Sequence, residues 1–248
     1  MKETGFVLSE GSIKISYEHN RNGFDADIVI VCPGFFNSKD NQWLQKTAEV
    51  FARSYDTIVF DFRGHGESEG KFSWSAYEYK DLVAVYEFVR RKGYRNIAIL
   101  GYSLGAAAAV NAVSLGLAVK SMILVSGPAS FWEINYHFWE PEMFSDLKDN
   151  IECNWEGKGA RVDSLFIPKP KPVDNIREIK DSAILFVHGD RDWIIKSYHA
   201  RMLYDAASAA EKEIKLVSGG LHAERMLQQF PQEISEIYLG WLEKTFRG

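Results

Sequence analysis

A serine bracketed by glycines, in Gly101-Tyr102-Ser103-Leu104-Gly105, is the first place in this chain where residue types and spacing could do chemistry. A hydroxyl is a poor nucleophile by itself; it needs a base within hydrogen-bond reach, and the base needs a carboxylate to orient it. The spacing acquires meaning only where a strand runs into a helix, because a sharp turn there lifts the hydroxyl off the sheet and small flanking residues let the two elements close up. The apolar run 97–100 and the alanines 106–109 supply that context. Since such a triplet arises by chance about once in ten chains of this length, the partners decide.

The chain has six histidines, and reacting groups in open α/β sheets collect at the carboxyl ends of strands. His19 falls in an amino-terminal hairpin and His137 in an aromatic insert; His188, at a strand end, and His199, within a helix, read as packed or surface histidines. His222 follows the strand 213–217 in the loop Ser218-Gly219-Gly220-Leu221 and is the best placed base. Two carboxylates follow the strand 183–187, Asp190 and Asp192. Asp190 is explained as a turn residue bonding its own backbone. Asp192 precedes the apolar Trp193-Ile194-Ile195 and is preferred as the orienting acid. Arg63 and His65 read as parts of a glycine-rich turn beside the site.

The elements that must position these groups alternate between strand and helix. Residues 5–19 read as a hairpin around Gly11 and Ser12; 28–31, 57–60, 97–100, 121–125, 183–187 and 213–217 read as strands. Helices are expected at 43–51, from a Ser75/Glu78 capping box to Lys92, at 104–115, at 197–209 and from Pro231 onward. The fold class is therefore α/β, a mostly parallel central sheet with helices on both faces. The rhythm breaks over 127–181, rich in aromatic and acidic residues, so the expected organisation is a core of 1–126 and 182–248 with 127–181 as a helical cap inserted between two strands.

Composition narrows the partners. With 46% hydrophobic and 25% charged residues the chain is an ordinary globular one, and a formal charge of −5 without a Lys/Arg stripe argues against nucleic acid. The uncharged stretch 96–119 is punctuated by Gly101, Ser103, Gly105, Asn111, Ser114 and Gly116, and reads as a central strand and helix rather than a membrane span. Cys32 and Cys153 read as free thiols, and the first ten residues lack the form of a secretory signal, so a cytoplasmic location is expected. No metal-ligand cluster or phosphate-cradling loop is evident, and no cofactor is expected.

The order Ser103, Asp192, His222, with the blocks Asp61-Phe62-Arg63-Gly64-His65-Gly66-Glu67-Ser68, His188-Gly189-Asp190-Arg191-Asp192 and Gly220-Leu221-His222-Ala223-Glu224, resembles the esterase, lipase and serine aminopeptidase branch of the α/β-hydrolase superfamily. Where that family usually carries His-Gly, this chain has Pro33-Gly34. The resemblance implies a Ser-His-Asp triad, an oxyanion hole from the N–H groups of Leu104 and Phe35, and a cap over the site. The implied activity is hydrolysis of a small-molecule carboxylic ester, with aminopeptidase or amidase, thioesterase, acyltransferase and non-catalytic ligand-binding members of the fold as alternatives. Phe36, Phe131, Trp132, Tyr136, Phe138 and Trp139 are the candidate lining of a pocket for a medium-chain or aromatic acyl group, and a homodimer is left open.

Overall fold

Along the strand β3 (Asp27–Cys32), Ile28, Ile30 and Cys32 join one apolar cluster while Val29 and Val31 join another, and all five are fully buried. A strand covered on both faces has no position for a polar side chain, which is why this run reads as continuously apolar. The computed structural model describes residues 1–23, 27–134 and 160–247. The other strands are β1 (Lys2–Leu8), β2 (Lys14–Asn20), β4 (Asp56–Phe60), β5 (Asn96–Tyr102), β6 (Ser121–Val125), β7 (Ala183–Gly189) and β8 (Lys212–Val217). They form one eight-stranded sheet in the order β1-β2-β4-β3-β5-β6-β7-β8. Only the β1–β2 and β2–β4 pairings are antiparallel.

Helices α1 (Gln42–Phe51), α2 (Glu78–Arg91), α3 (Leu104–Val113), α4 (Pro172–Asn175), α5 (Tyr198–Ala206), α6 (Arg225–Gln229) and α7 (Pro231–Arg247) divide between the faces. Residues of α2, α3 and α5 pack on one face, and those of α1, α6 and α7 on the other. Every residue of α3 is buried, and the alanines allow it to lie close on the sheet. The described residues thus bear out the α/β class and the expected strands; β3, β5, β6, β7 and β8 all end at the same edge, where the loops carrying the candidate residues gather.

One local expectation changes. The capping box is not Ser75 with Glu78: the Glu78 carboxylate accepts the Ser73 N–H at 2.7 Å and the Ser73 hydroxyl at 2.9 Å, and Ser73 Oγ accepts the Tyr77 N–H at 2.8 Å. Left-handed backbone at Trp74 and Ser75, φ 58° and 74°, turns the chain so that Ser73 meets the helix start. Within 127–181 the described residues hold α4 and short 3-10 turns at Phe131–Glu133 and Ile176–Glu178. The exit of this segment is stitched to the loop after β4, with Arg161 N–H donating to Gly64 O at 2.8 Å and Phe72 N–H to Arg161 O at 2.7 Å. Ile176 and Ile179 pack into the core with α3 and α5. Tyr136, Phe138, Trp139, His137 and Cys153 lie outside the described residues. Among the described residues no helix is long and apolar enough to cross a membrane.

Candidate active site

Ser103 occupies the turn between β5 and α3 with φ 53° and ψ −120°, a conformation that costs a side-chain-bearing residue about 1–3 kcal/mol. Its surroundings force the turn to be this tight. A Cβ on Gly101 would stand 2.7 Å from Ala106 Cα, and one on Gly105 would meet the carbonyls of Pro33 and Cys32, the latter at 2.6 Å. The Ser103 N–H donates to Val125 O at 2.8 Å, tying the turn to the end of β6.

The loop after β3 arrives directly against the serine, since a Cβ on Gly34 would be 3.3 Å from Ser103 Cβ. The Phe36 N–H donates to His65 Nε2 at 3.2 Å, and His65 Nδ1 donates to Arg63 O at 3.2 Å. Burial lowers the His65 pKa to about 4, so the ring is a neutral acceptor for that amide. The N–H groups of Phe35 and Leu104 have no hydrogen-bond partner among the described residues. The loop is fixed further along by Lys39 N–H on Asp61 Oδ1 at 2.6 Å and by Asn37 Nδ2 on Glu224 Oε1 at 2.6 Å.

On the other side of the serine, β7 and β8 bring the candidate acid and base together. His222 Nδ1 and Asp192 Oδ2 are 2.7 Å apart, while Asp192 Oδ1 accepts the N–H groups of Ile194 at 3.0 Å and Ile195 at 2.8 Å. Burial alone would raise the Asp192 pKa; the charge of His222 and the hydrogen bonds from His188 and His222 outweigh it and hold the carboxyl well below its ordinary range. Asp190 bonds not its own backbone but the Gly219 N–H, at 2.7 Å, clamping the loop that leads to His222. That loop presses onto β7 so closely that a Cβ on Gly189 would collide with Gly220 O. Ala223 N–H donates to Ser126 Oγ at 3.0 Å, one residue beyond the carbonyl that holds Ser103 N–H, so the histidine loop and the serine turn share one anchor at the end of β6.

Beside Leu104 lies an apolar cluster of Phe72, Ile134 and Ile195 with Phe35, Trp74, Phe131 and Ile194 packed on it. Phe35 stacks on Phe72 at 4.7 Å between centroids and tilts against Trp74 at 4.7 Å, and Phe131 continues the wall at 6.1 Å from Trp74. Of the candidate lining, Phe131 belongs to this cluster, Phe36 touches Phe35, and Trp132 packs edge-on against Phe131 while remaining mostly exposed. The sequence reading missed Phe72 and Trp74; their nearness to the Asp61–Ser68 block was the available signal. Among the described residues no group of three His, Cys, Asp or Glu side chains is arranged to hold a metal ion.

A strained serine at a strand-to-helix turn, a carboxylate-bound histidine three strands away and unpaired amides beside the serine match the site class of nucleophilic hydrolases built on an α/β sheet. The chain belongs to the alpha/beta hydrolase fold family, whose model matches residues 27–152. It is 23% identical to the uncharacterized 31.7 kDa protein in the traX-finO intergenic region of Escherichia coli, covering 98% of this chain and 99% of that one. It is also 23% identical to human Protein ABHD12B over 66% of this chain and 45% of that one. Among solved structures it resembles the Pyrococcus furiosus esterase Pf2001, with a TM-score of 0.79 and 20% identity over 99% of this chain and 93% of that one. The esterase RhEst1 from Rhodococcus sp. aligns with a TM-score of 0.78 and 15% identity over 98% and 99%.

Proposed function

We propose that the protein is a serine hydrolase that cleaves carboxylic esters of medium-chain or aromatic acids through an acyl-enzyme on Ser103. The observation that carries this reading is the 2.7 Å bond between His222 Nδ1 and Asp192 Oδ2. With Nδ1–H donating its hydrogen bond to the ionised carboxylate, Nε2 carries the lone pair that faces proton transfer from the serine hydroxyl. Ser103 Oγ adds to the ester carbonyl carbon as His222 takes its proton, and the carbonyl oxygen becomes an oxyanion received by the N–H groups of Phe35 and Leu104. Collapse breaks the bond to the alcohol, which leaves with the proton from His222. Water then repeats the sequence on the acyl-serine, releasing the acid and restoring the hydroxyl. The esterases among the similar structures support the same reading.

The acyl preference rests on the aromatic wall from Phe35 through Trp74 to Phe131. The test is release of p-nitrophenol from acetate, butyrate and octanoate esters by the native protein and by Ser103→Ala, alongside mass analysis after an organophosphonate. Turnover and an adduct on Ser103, both lost in the variant, are expected; folded native protein with neither would end the reading. Trp74→Ala is expected to lower octanoate turnover relative to acetate, and an unchanged ratio would remove the pocket assignment.

A further inference from the structure

Asp192 is shared by a second imidazole. His188, the penultimate residue of β7, is wholly buried; its Nε2 lies 2.6 Å from Ile195 O and 3.2 Å from Asp192 Oδ2, the oxygen that also receives His222 Nδ1. A carbonyl can only accept, so the proton sits on Nε2 and is aimed between the carbonyl and the carboxylate. The other ring nitrogen, Nδ1, is buried with no hydrogen-bond partner among the described residues. An aliphatic side chain would avoid that desolvated, unpaired nitrogen, so any compensation must come from the Nε2 side of the ring.

That side closes a ring of contacts around the acid. The amides of Ile194 and Ile195 hold Asp192 Oδ1, while the carbonyl of the same Ile195 is held by His188, whose Nε2–H also reaches Oδ2. Rotation of the carboxylate would break contacts at both oxygens together. We propose that His188 is a positioning residue, whose Nε2–H locks the turn from Asp192 to Ile195 and so fixes the oxygen on which His222 docks. His199 of α5 is also in electrostatic reach, and burial lowers its pKa to about 4. The kinetic arm of the test rests on the serine-hydrolase reading; the spectroscopic arm does not.

The experiment compares the native protein with His188→Leu and His188→Gln, the second chosen because its amide N–H can reach the position of the imidazole Nε2–H. Thermal unfolding and circular dichroism verify that each is folded. The low-field proton resonance of His222 Nδ1–H, assigned by its loss in Asp192→Asn, reads the hydrogen bond directly without substrate. In His188→Leu the resonance is expected to broaden or vanish through faster exchange, with kcat down roughly tenfold and KM little changed. His188→Gln is expected to retain the resonance and to hold kcat within about threefold of native. A folded His188→Leu with native resonance and kcat overturns the proposal, as does a folded His188→Gln that fails alongside it. If the native protein turns over no ester, the hydrolase reading fails while the resonance comparison still decides the role of His188.

Discussion

Replacing Asp192 by asparagine keeps the side-chain shape and removes an acceptor from one of its two ends. The N–H groups of Ile194 and Ile195 point at Oδ1 from 3.0 and 2.8 Å, so the asparagine carbonyl is drawn to that side and its NH2 is turned toward His222 Nδ1 and His188 Nε2. A donor facing Nδ1 selects the tautomer with the proton on Nε2, the nitrogen whose lone pair deprotonates Ser103 in the proposed mechanism. The expected loss in kcat is about ten-thousand-fold, or about 5.5 kcal/mol of transition-state stabilisation, with KM changed only slightly. Asp190→Asn is the matched control: that side chain is exposed and binds the Gly219 N–H, which an asparagine carbonyl still can accept, so a loss under about threefold is expected. Stopped-flow acylation by p-nitrophenyl butyrate measures both variants in one assay. An Asp192→Asn protein with more than about a tenth of native kcat, or an Asp190→Asn protein equally impaired, would refute the tautomer argument.

Ser103→Gly is expected to abolish turnover while raising stability by about 1 kcal/mol in urea unfolding, because glycine adopts the φ of 53° without strain. Gly105→Ala should lose at least about 2 kcal/mol in the same assay, since its Cβ would meet backbone carbonyls of Pro33 and Cys32 that have little room to move. His65 and His199 both titrate near 4 in the folded protein against an ordinary 6.5, so the unfolded chain binds more protons between those values. Their stability is complete above pH 6.5 and falls as the pH drops toward 4, by at most about 1.4 kcal/mol per pH unit for each histidine. Urea midpoints measured from pH 7 downward check this; His199→Asn, which can still accept the Ala129 N–H, should make the slope shallower.

The sheet was legible because its central strands are covered on both faces, so runs such as Ile28-Val29-Ile30-Val31 admit no competing reading once turn residues bound them. The serine was legible because a tight strand-to-helix turn demands small residues at fixed offsets. What the sequence hid was set by contacts between distant segments. Glu78 finds Ser73 rather than Ser75 because two left-handed residues reverse the chain between them. Helix α6 follows His222 directly, with Arg225 N–H on His222 O at 3.0 Å, and a single turn of helix leaves almost no periodic trace. His188 carried the same residue type as the base but no local mark of its partner, since the turn that brings Asp192 back over it depends on two amides and a carbonyl farther along. Phe72 and Trp74 reach the site from the loop after β4, which sequence order places far from Ser103.

The contacts that hold the site divide into two kinds, and the division bears on what each part can vary. Gly105 against the Pro33 carbonyl and Gly189 against Gly220 are approaches of main chain to main chain too close for any side chain, and Gly34 packs tightly on Ser103, where a Cβ would stand 3.3 Å from the serine Cβ. Polar side chains then tie the loops at the carboxyl edge of the sheet together: His65 to Phe36, Asp61 to Lys39, Asp190 to Gly219, Asn37 to Glu224. The amides of Phe35 and Leu104 and the His222–Asp192 pair are therefore positioned by backbone that cannot relax without breaking several buried hydrogen bonds at once. The aromatic wall is built otherwise, from side chains on loops, held by ring contacts that tolerate a change of shape. Preorganised electrostatics require the first kind of construction, since donors must already point where charge will develop. On the proposed esterase reading, acyl preference requires only the second, so substitutions in the wall would retune which chain fits while the proposed reacting groups stay where the sheet has put them.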